Sequence, residues 1–245
     1  MNKSLEDNVP GKSTRAMANR RRQVRILLAL TGIAVIVSLF FVNLTARNAL
    51  ISLGVLVVVV VIDHAVIPDL DFLKNREGDA TRGAKAEEAI GAILNRLPIE
   101  SHIVLHDIAA DYGNIDHLVF RRDGAVFLIE TKAHGGEVTE RHGELRLNGH
   151  AFEKDVLKQT HGNVYWLRDF LKAKCGIEVW INAAIVFPNA YVSVRRTIRG
   201  VDIVNAKYLG RWMSKVRGNP QIARALWPQV QELKAALLTR QLEPA

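Results

Sequence analysis

Residues 115–131 constrain this chain more than any other stretch. They read Ile115-Asp116-His117-Leu118-Val119-Phe120, then Arg121-Arg122-Asp123-Gly124, then Ala125-Val126-Phe127-Leu128-Ile129-Glu130-Thr131, with Lys132 next. Two runs rich in β-branched and aromatic residues flank an Asp-Gly break, which is the pattern of a β-hairpin. Side chains alternate faces along a strand. Leu118, Phe120, Val126 and Leu128 therefore share one face, and Ile115, Val119, Phe127 and Ile129 the other. Strands apolar on both faces belong in a sheet covered by helices on both sides. Yet Asp116, Glu130 and Lys132 stand at the open end of this hairpin. Burying a charge is costly unless it is paired or binds a metal.

Parity fixes what the three groups can do together. A two-residue Asp123-Gly124 loop would set Asp116 opposite Thr131 and leave the carboxylates on opposite faces. A three-residue Arg122-Asp123-Gly124 loop sets Asp116 opposite Glu130. That loop is a type I turn followed by a left-handed bulge residue, where Gly is favoured. With it, Asp116, Glu130 and Lys132 converge on one face. Mg²⁺ takes hard oxygen ligands and keeps several waters. Asp116, Glu130 and the Thr131 carbonyl form a ligand set for it, and Mn²⁺ accepts the same donors. Such a metal polarises a phosphate and acidifies a bound water. Lys132 would offset charge developing on the phosphate. The plainer alternative is a structural ion pair at a strand end.

An Asp followed across a hairpin by Glu-x-Lys resembles the PD-(D/E)XK nuclease superfamily, and more closely its NERD branch, the nuclease-related domain. The resemblance covers about residues 80–215. Gly83-Ala84-Lys85-Ala86-Glu87 is similar to that family's opening Gly-x-x-Gly-Glu, with Ala86 in place of the second Gly. Ile115-Asp116-His117 resembles its Ile-Asp-His. Ile129-Glu130-Thr131-Lys132 with Gly135-Gly136 resembles its Ile-Glu-x-Lys and later Gly. Gln159 resembles the Gln of the helix after the hairpins, although Lys154-Asp155-Val156 stand where the family often has Asn-Pro. The resemblance implies a restriction-endonuclease-like α-β-β-β-α-β core and a site of Glu87, Asp116, Glu130, Lys132 and Gln159.

The order of elements predicted from periodicity agrees. Residues 83–97 read as a helix with Ala86, Ala89, Ile90, Ile93, Leu94 and Leu97 on one face, stopped by Pro98. Residues 102–108 read as a strand before the hairpin. Residues 137–141 and 144–147 read as a smaller hairpin over His142-Gly143. Residues 155–174 read as a long helix capped near Asp155 and closed by Gly176. Residues 178–187 read as a strand ended by Pro188, 201–204 as a further strand and 206–216 as a helix. The predicted architecture is one mixed α/β sheet with helices on its faces. In the tail, Leu226, Val230, Leu233, Leu237 and Leu238 make an apolar stripe expected to dock on the domain.

The first third looks different. Residues 26–44 are nineteen without a charge, about 28 Å as a helix against a hydrocarbon core of roughly 30 Å. Thr45-Ala46-Arg47-Asn48 makes a polar turn. Residues 49–62 are a second uncharged run, extending to 67 if Asp63 and His64 snorkel. The reading is a transmembrane helical hairpin over 26–67, after a disordered basic leader (1–25) and before a charged linker (68–79). The domain would then be 80–216 and the helical tail 217–245. Arg20-Arg21-Arg22 and Arg25 against the lone Arg47 place both termini in the cytoplasm, with a bacterial inner membrane as the expected location.

Net charge is +8 over 245 residues: +5 in residues 1–25, −1 in 26–77 and +4 in 78–245. The globular part is mildly basic, which permits a nucleic-acid partner without requiring one. Arg195-Arg196-Thr197-Ile198-Arg199 is a basic cluster in a predicted loop, and reads equally as a phosphate grip or as a solvated loop. A lone Cys175 excludes an internal disulfide framework. The eight His show no zinc spacing; His102 and His106 read as core or edge residues, and His117 faces the side of its strand opposite Asp116. The sum is a membrane-anchored, Mg²⁺-dependent nuclease expected to act on DNA. The alternative is a catalytically weak, membrane-tethered nucleic-acid-binding or interaction module on the same fold.

Overall fold

The computed structural model describes residues 9–40, 78–194 and 197–240. The chain divides into two compact units, residues 13–82 and residues 83–245, the latter including residues 1–12.

The first unit carries α1 (Lys12–Phe40). The segment 12–25, expected as a disordered leader, is therefore helical. Its Ala, Met, Arg and Gln residues are strong helix formers, and the apolar run that follows carries no Pro to stop the helix. Among the described residues no helix is long and apolar enough to cross a membrane. The second expected span and the linker through residue 77 lie outside the described residues.

A second helix, α2, runs through residues 78–94, starting before the Gly83 predicted to open it. It leads into β1 (His102–Ile108), β2 (Ile115–Arg121) and β3 (Val126–Thr131). After them come β4 (Gly136–Arg141), β5 (Glu144–Leu147) and β6 (His150–Ala151), then the long α3 (Val156–Cys175). β7 (Ile181–Phe187), β8 (Ala190–Val192) and β9 (Val201–Asn205) follow, and α4 (Leu209–Lys215), α5 (Pro220–Leu226) and α6 (Val230–Arg240) end the unit. Capping is as local chemistry dictates. Asp155 accepts the Lys158 N–H at the start of α3, and Gly176 ends it at φ 68°.

The main sheet has five strands in the order β1-β2-β3-β7-β9. β1, β2 and β3 pair antiparallel, whereas β3-β7 and β7-β9 pair parallel. The expectation of a single sheet needs correction. β4, β5, β6 and β8 form a separate four-stranded sheet in the order β6-β5-β4-β8. β6 and β8 have two and three residues, too short to carry a periodic signal, so pairing partners alone define them.

Each face of the main sheet carries an apolar cluster. Val119, Phe127 and Ile129 pack with Ile90 and Leu94 of α2 and with Leu209 and Met213. Leu118, Phe120, Val126 and Leu128 pack with Trp166, Leu167 and Leu171 of α3 and with Leu226, Val230, Leu233, Leu237 and Leu238 of the tail. The tail is thus part of the core rather than an appendage. The β2-β3 turn is held at the end of α4, just before the tail: Arg121 donates to the carbonyls of Met213 and Val216.

Candidate active site

The hairpin register settles first. His117 faces Ile129, Leu118 faces Leu128, Val119 faces Phe127 and Phe120 faces Val126. The Arg121 N–H donates to Ala125 O, and the Gly124 N–H to Arg121 O. The loop is therefore Arg122-Asp123-Gly124, with Gly124 at φ 90°. A Cβ there would lie 2.4 Å from Asn219 O, so Gly is required twice, for the turn and for the tail. The same register continues to Asp116 opposite Glu130, and the Thr131 N–H donates to Asp116 Oδ2 at 2.6 Å.

Lys132 joins them. Its Nζ donates to Glu130 Oε1 at 2.6 Å and to Gln159 Oε1 at 3.4 Å. The Gln159 contact comes from the first turn of α3, which packs on the same face as Glu130. Glu130 is 1% exposed, and its Oε2 is buried with no hydrogen-bond partner. Burial pushes the Asp116 carboxyl well above its usual range, and the negative charges of Glu130 and then Glu87 push it further. Burial alone would lower the Lys132 ammonium, but Glu130 and Asp116 outweigh it and hold the group above its ordinary value. Glu87 is buried on α2 and acts on both Asp116 and Lys132. Its neighbour Glu88 does not figure at either group, as a 100° step round the helix requires.

Thus Asp116, Glu130, Lys132, Glu87 and Gln159 come together. Of the basic cluster, Arg195 and Arg196 lie outside the described residues. Arg199 is exposed at φ 50°, its carbonyl accepting from His161 Nε2. Thr131, expected to lend a carbonyl, is tied through its N–H to Asp116 and through its hydroxyl to His117 Nε2.

Three features escaped the sequence reading. Asp107, at φ 55° and 9% exposed, sits between the paired residues His106 and Ile108 and accepts from Asn114. A non-Gly residue held at positive φ inside a strand has no composition signal. Asn163, one turn beyond Gln159, is fully buried with both side-chain polar atoms unpartnered. His106 and His117 are not separate core histidines but a bonded pair, Nδ1 to Nδ1 at 2.8 Å.

The donor set can be tested against a cation. Among the described residues no three His, Cys, Asp or Glu side chains come together closely enough to hold a metal by themselves. Two carboxylates do converge, one with an orphaned buried oxygen and the other held above its usual range by burial and then by like charge. That fits a hard ion bound through two carboxylates and completed by water, and excludes an all-protein cage.

The model of the nuclease-related domain family, NERD, matches residues 82–188. That span contains all five converging residues. No curated protein and no solved structure matches the chain.

Proposed function

We propose that the chain is a metal-dependent nuclease that hydrolyses phosphodiester bonds of nucleic acid, with DNA as the substrate. The observation that carries this reading is the convergence of Asp116, Glu130 and Lys132 at the end of a buried hairpin, with Glu130 Oε2 left unpartnered. An ion pair built only for stability has no use for that orphaned oxygen, because an unsatisfied buried acceptor costs about 1–3 kcal/mol. The nuclease-related match over the same residues supports the reaction class.

Asp116 and Glu130 would hold Mg²⁺ or Mn²⁺, which supplies a polarised phosphate and an acidified water. Lys132, held by Glu130 and Gln159, presents its ammonium where charge develops on the phosphate. Glu87 adds negative charge that keeps Lys132 protonated. Arg195, Arg196 and Arg199 are proposed phosphate contacts along the nucleic-acid strand. The apolar run 26–67, with the basic residues before it, tethers the domain to the cytoplasmic face of a membrane; this part rests on the sequence pattern alone.

One observation favours the catalytically weak binding module instead. Lys132 and Glu130 already neutralise each other at 2.6 Å. Labelled single- and double-stranded DNA and RNA, incubated with the purified full chain and Mg²⁺, Mn²⁺ or EDTA, separate the two. Cleavage of DNA that EDTA abolishes supports the nuclease. Retention of DNA without cleavage under any metal supports the module.

A further inference from the structure

The face of the hairpin opposite the carboxylates carries a line of polar side chains that the chemistry above does not use. Thr131 Oγ1 lies 3.2 Å from His117 Nε2. His117 Nδ1 lies 2.8 Å from His106 Nδ1, and His106 Nε2 lies 2.9 Å from Asn95 Oδ1. The rings meet edge to face, with centroids 5.0 Å apart at 86°. His117 is 0% and His106 2% exposed. The line crosses three strands, from β3 through β2 to β1, and ends at Asn95, whose N–H caps the last turn of α2 on Gly91 O.

The position of each proton follows from one end. Asn95 Oδ1 only accepts, so His106 carries its proton on Nε2. A neutral His106 then has a bare Nδ1, which accepts the Nδ1–H of His117. A neutral His117 has a bare Nε2, which accepts the Thr131 hydroxyl proton. Both rings are buried between these partners, and each ring nitrogen in the line has a neighbour.

We infer that the Asn95-His106-His117-Thr131 relay is the positioning device of the candidate site. It pins the Thr131 hydroxyl from one face so that the Thr131 N–H stays on Asp116 Oδ2 and Glu130 and Lys132 stay on the other. Thr131 is the residue between Glu130 and Lys132, and its backbone is the bond between the two faces. The relay also couples strand β3 to the helix that delivers Glu87. His106, His117 and Asn95 are positioning residues that touch no substrate. The inference rests on the hydrolytic reading for its effect on turnover, but not for its geometry.

The test uses the full chain in detergent micelles. ¹⁵N NMR of histidine-labelled protein at pH 7.5 should show His117 protonated on Nδ1 and His106 on Nε2. His106→Gln should move the Thr131 amide proton upfield, because that amide loses its short bond to Asp116. Thr131→Val keeps shape and removes the hydroxyl. It should lower kcat by roughly 10- to 100-fold with KM for DNA unchanged, while Thr131→Ser restores most of it. If the wild-type chain cuts nothing, the hydrolytic reading falls and the tautomers and amide shift still judge the relay. Identical tautomers in the two rings, an unmoved Thr131 amide in His106→Gln, or wild-type turnover in Thr131→Val beside active wild type would overturn it.

Discussion

At the residue scale, the three charged groups of the hairpin do not have equal structural roles. Asp116→Asn and Glu130→Gln should each abolish metal-dependent cleavage, since each removes an anionic ligand from a site with few of them. The metal-free Asp116→Asn protein should melt no lower than wild type. Asn still accepts the Thr131 N–H, and one like charge has gone. Lys132→Ala is different. It leaves the Glu130 carboxylate, 1% exposed, without its counter-ion. Breaking a buried pair in that way costs about 3–5 kcal/mol, so this variant should melt well below wild type as well as lose activity. Calorimetry of the three variants with EDTA separates the cases, and equal melting temperatures for Lys132→Ala and wild type would contradict the buried pair.

His106 adds a pH dependence with a definite sign. Burial pushes the ring down to about 4, below the ordinary value of about 6.5 that the unfolded chain keeps, so between these the unfolded chain binds more protons. Stability from this group is complete above about 6.5 and is lost as pH falls toward 4, by on the order of 3 kcal/mol at most. His117 shifts in the same direction. Urea midpoints measured from pH 7.5 to 4.5 should fall in wild type and fall less in His106→Gln. An equal slope in both proteins would show that His106 is not the group responsible.

At the scale of elements, the β2-β3 hairpin and the tail are one structural unit. Gly124 holds φ 90° and leaves no space for a Cβ against Asn219 and Ala223. Gly124→Ala should cost at least ~1 kcal/mol from the left-handed backbone alone, and more from displacing α5. The equilibrium urea midpoint reads this directly. α6 contributes Leu237, fully buried against the same sheet face as Leu118 and Leu128. Leu237→Ala should cost about 2–5 kcal/mol although it lies far from the carboxylates in sequence. A chain truncated after residue 216 should expose this face and aggregate on expression, whereas a soluble truncated protein with native melting would show the tail to be dispensable.

At the scale of the whole molecule, the pattern over residues 26–67 and the nuclease-related match to residues 82–188 describe different parts of one chain. If the N-terminal part is a tether, the full chain should sediment with membranes and resist carbonate extraction. Residues 78–245 expressed alone should then stay in the supernatant. Release of the full chain by carbonate would reject the tether and leave the domain reading untouched.

Much of the site was legible in the sequence because it depends on short-range rules. Strand alternation and a three-residue loop ending in Gly124 are sufficient to place Asp116 across from Glu130 and Lys132 beside it. Helix periodicity likewise chooses Glu87 over Glu88. What the sequence could not determine depends on contacts between distant segments. The short strands β6 and β8 exist only through their pairing partners. His106 and His117, eleven residues apart, carry no pairing signal in the sequence until β1 and β2 bring their Nδ1 atoms to 2.8 Å. Asp107 takes its left-handed backbone, and Lys132 its raised ammonium, from what the tertiary structure packs around them. Local geometry repeats every two residues in a strand and every 3.6 in a helix, so one chain segment is enough to read it. Burial, counter-charge and hydrogen-bond partners arise only when the whole chain has closed around the site.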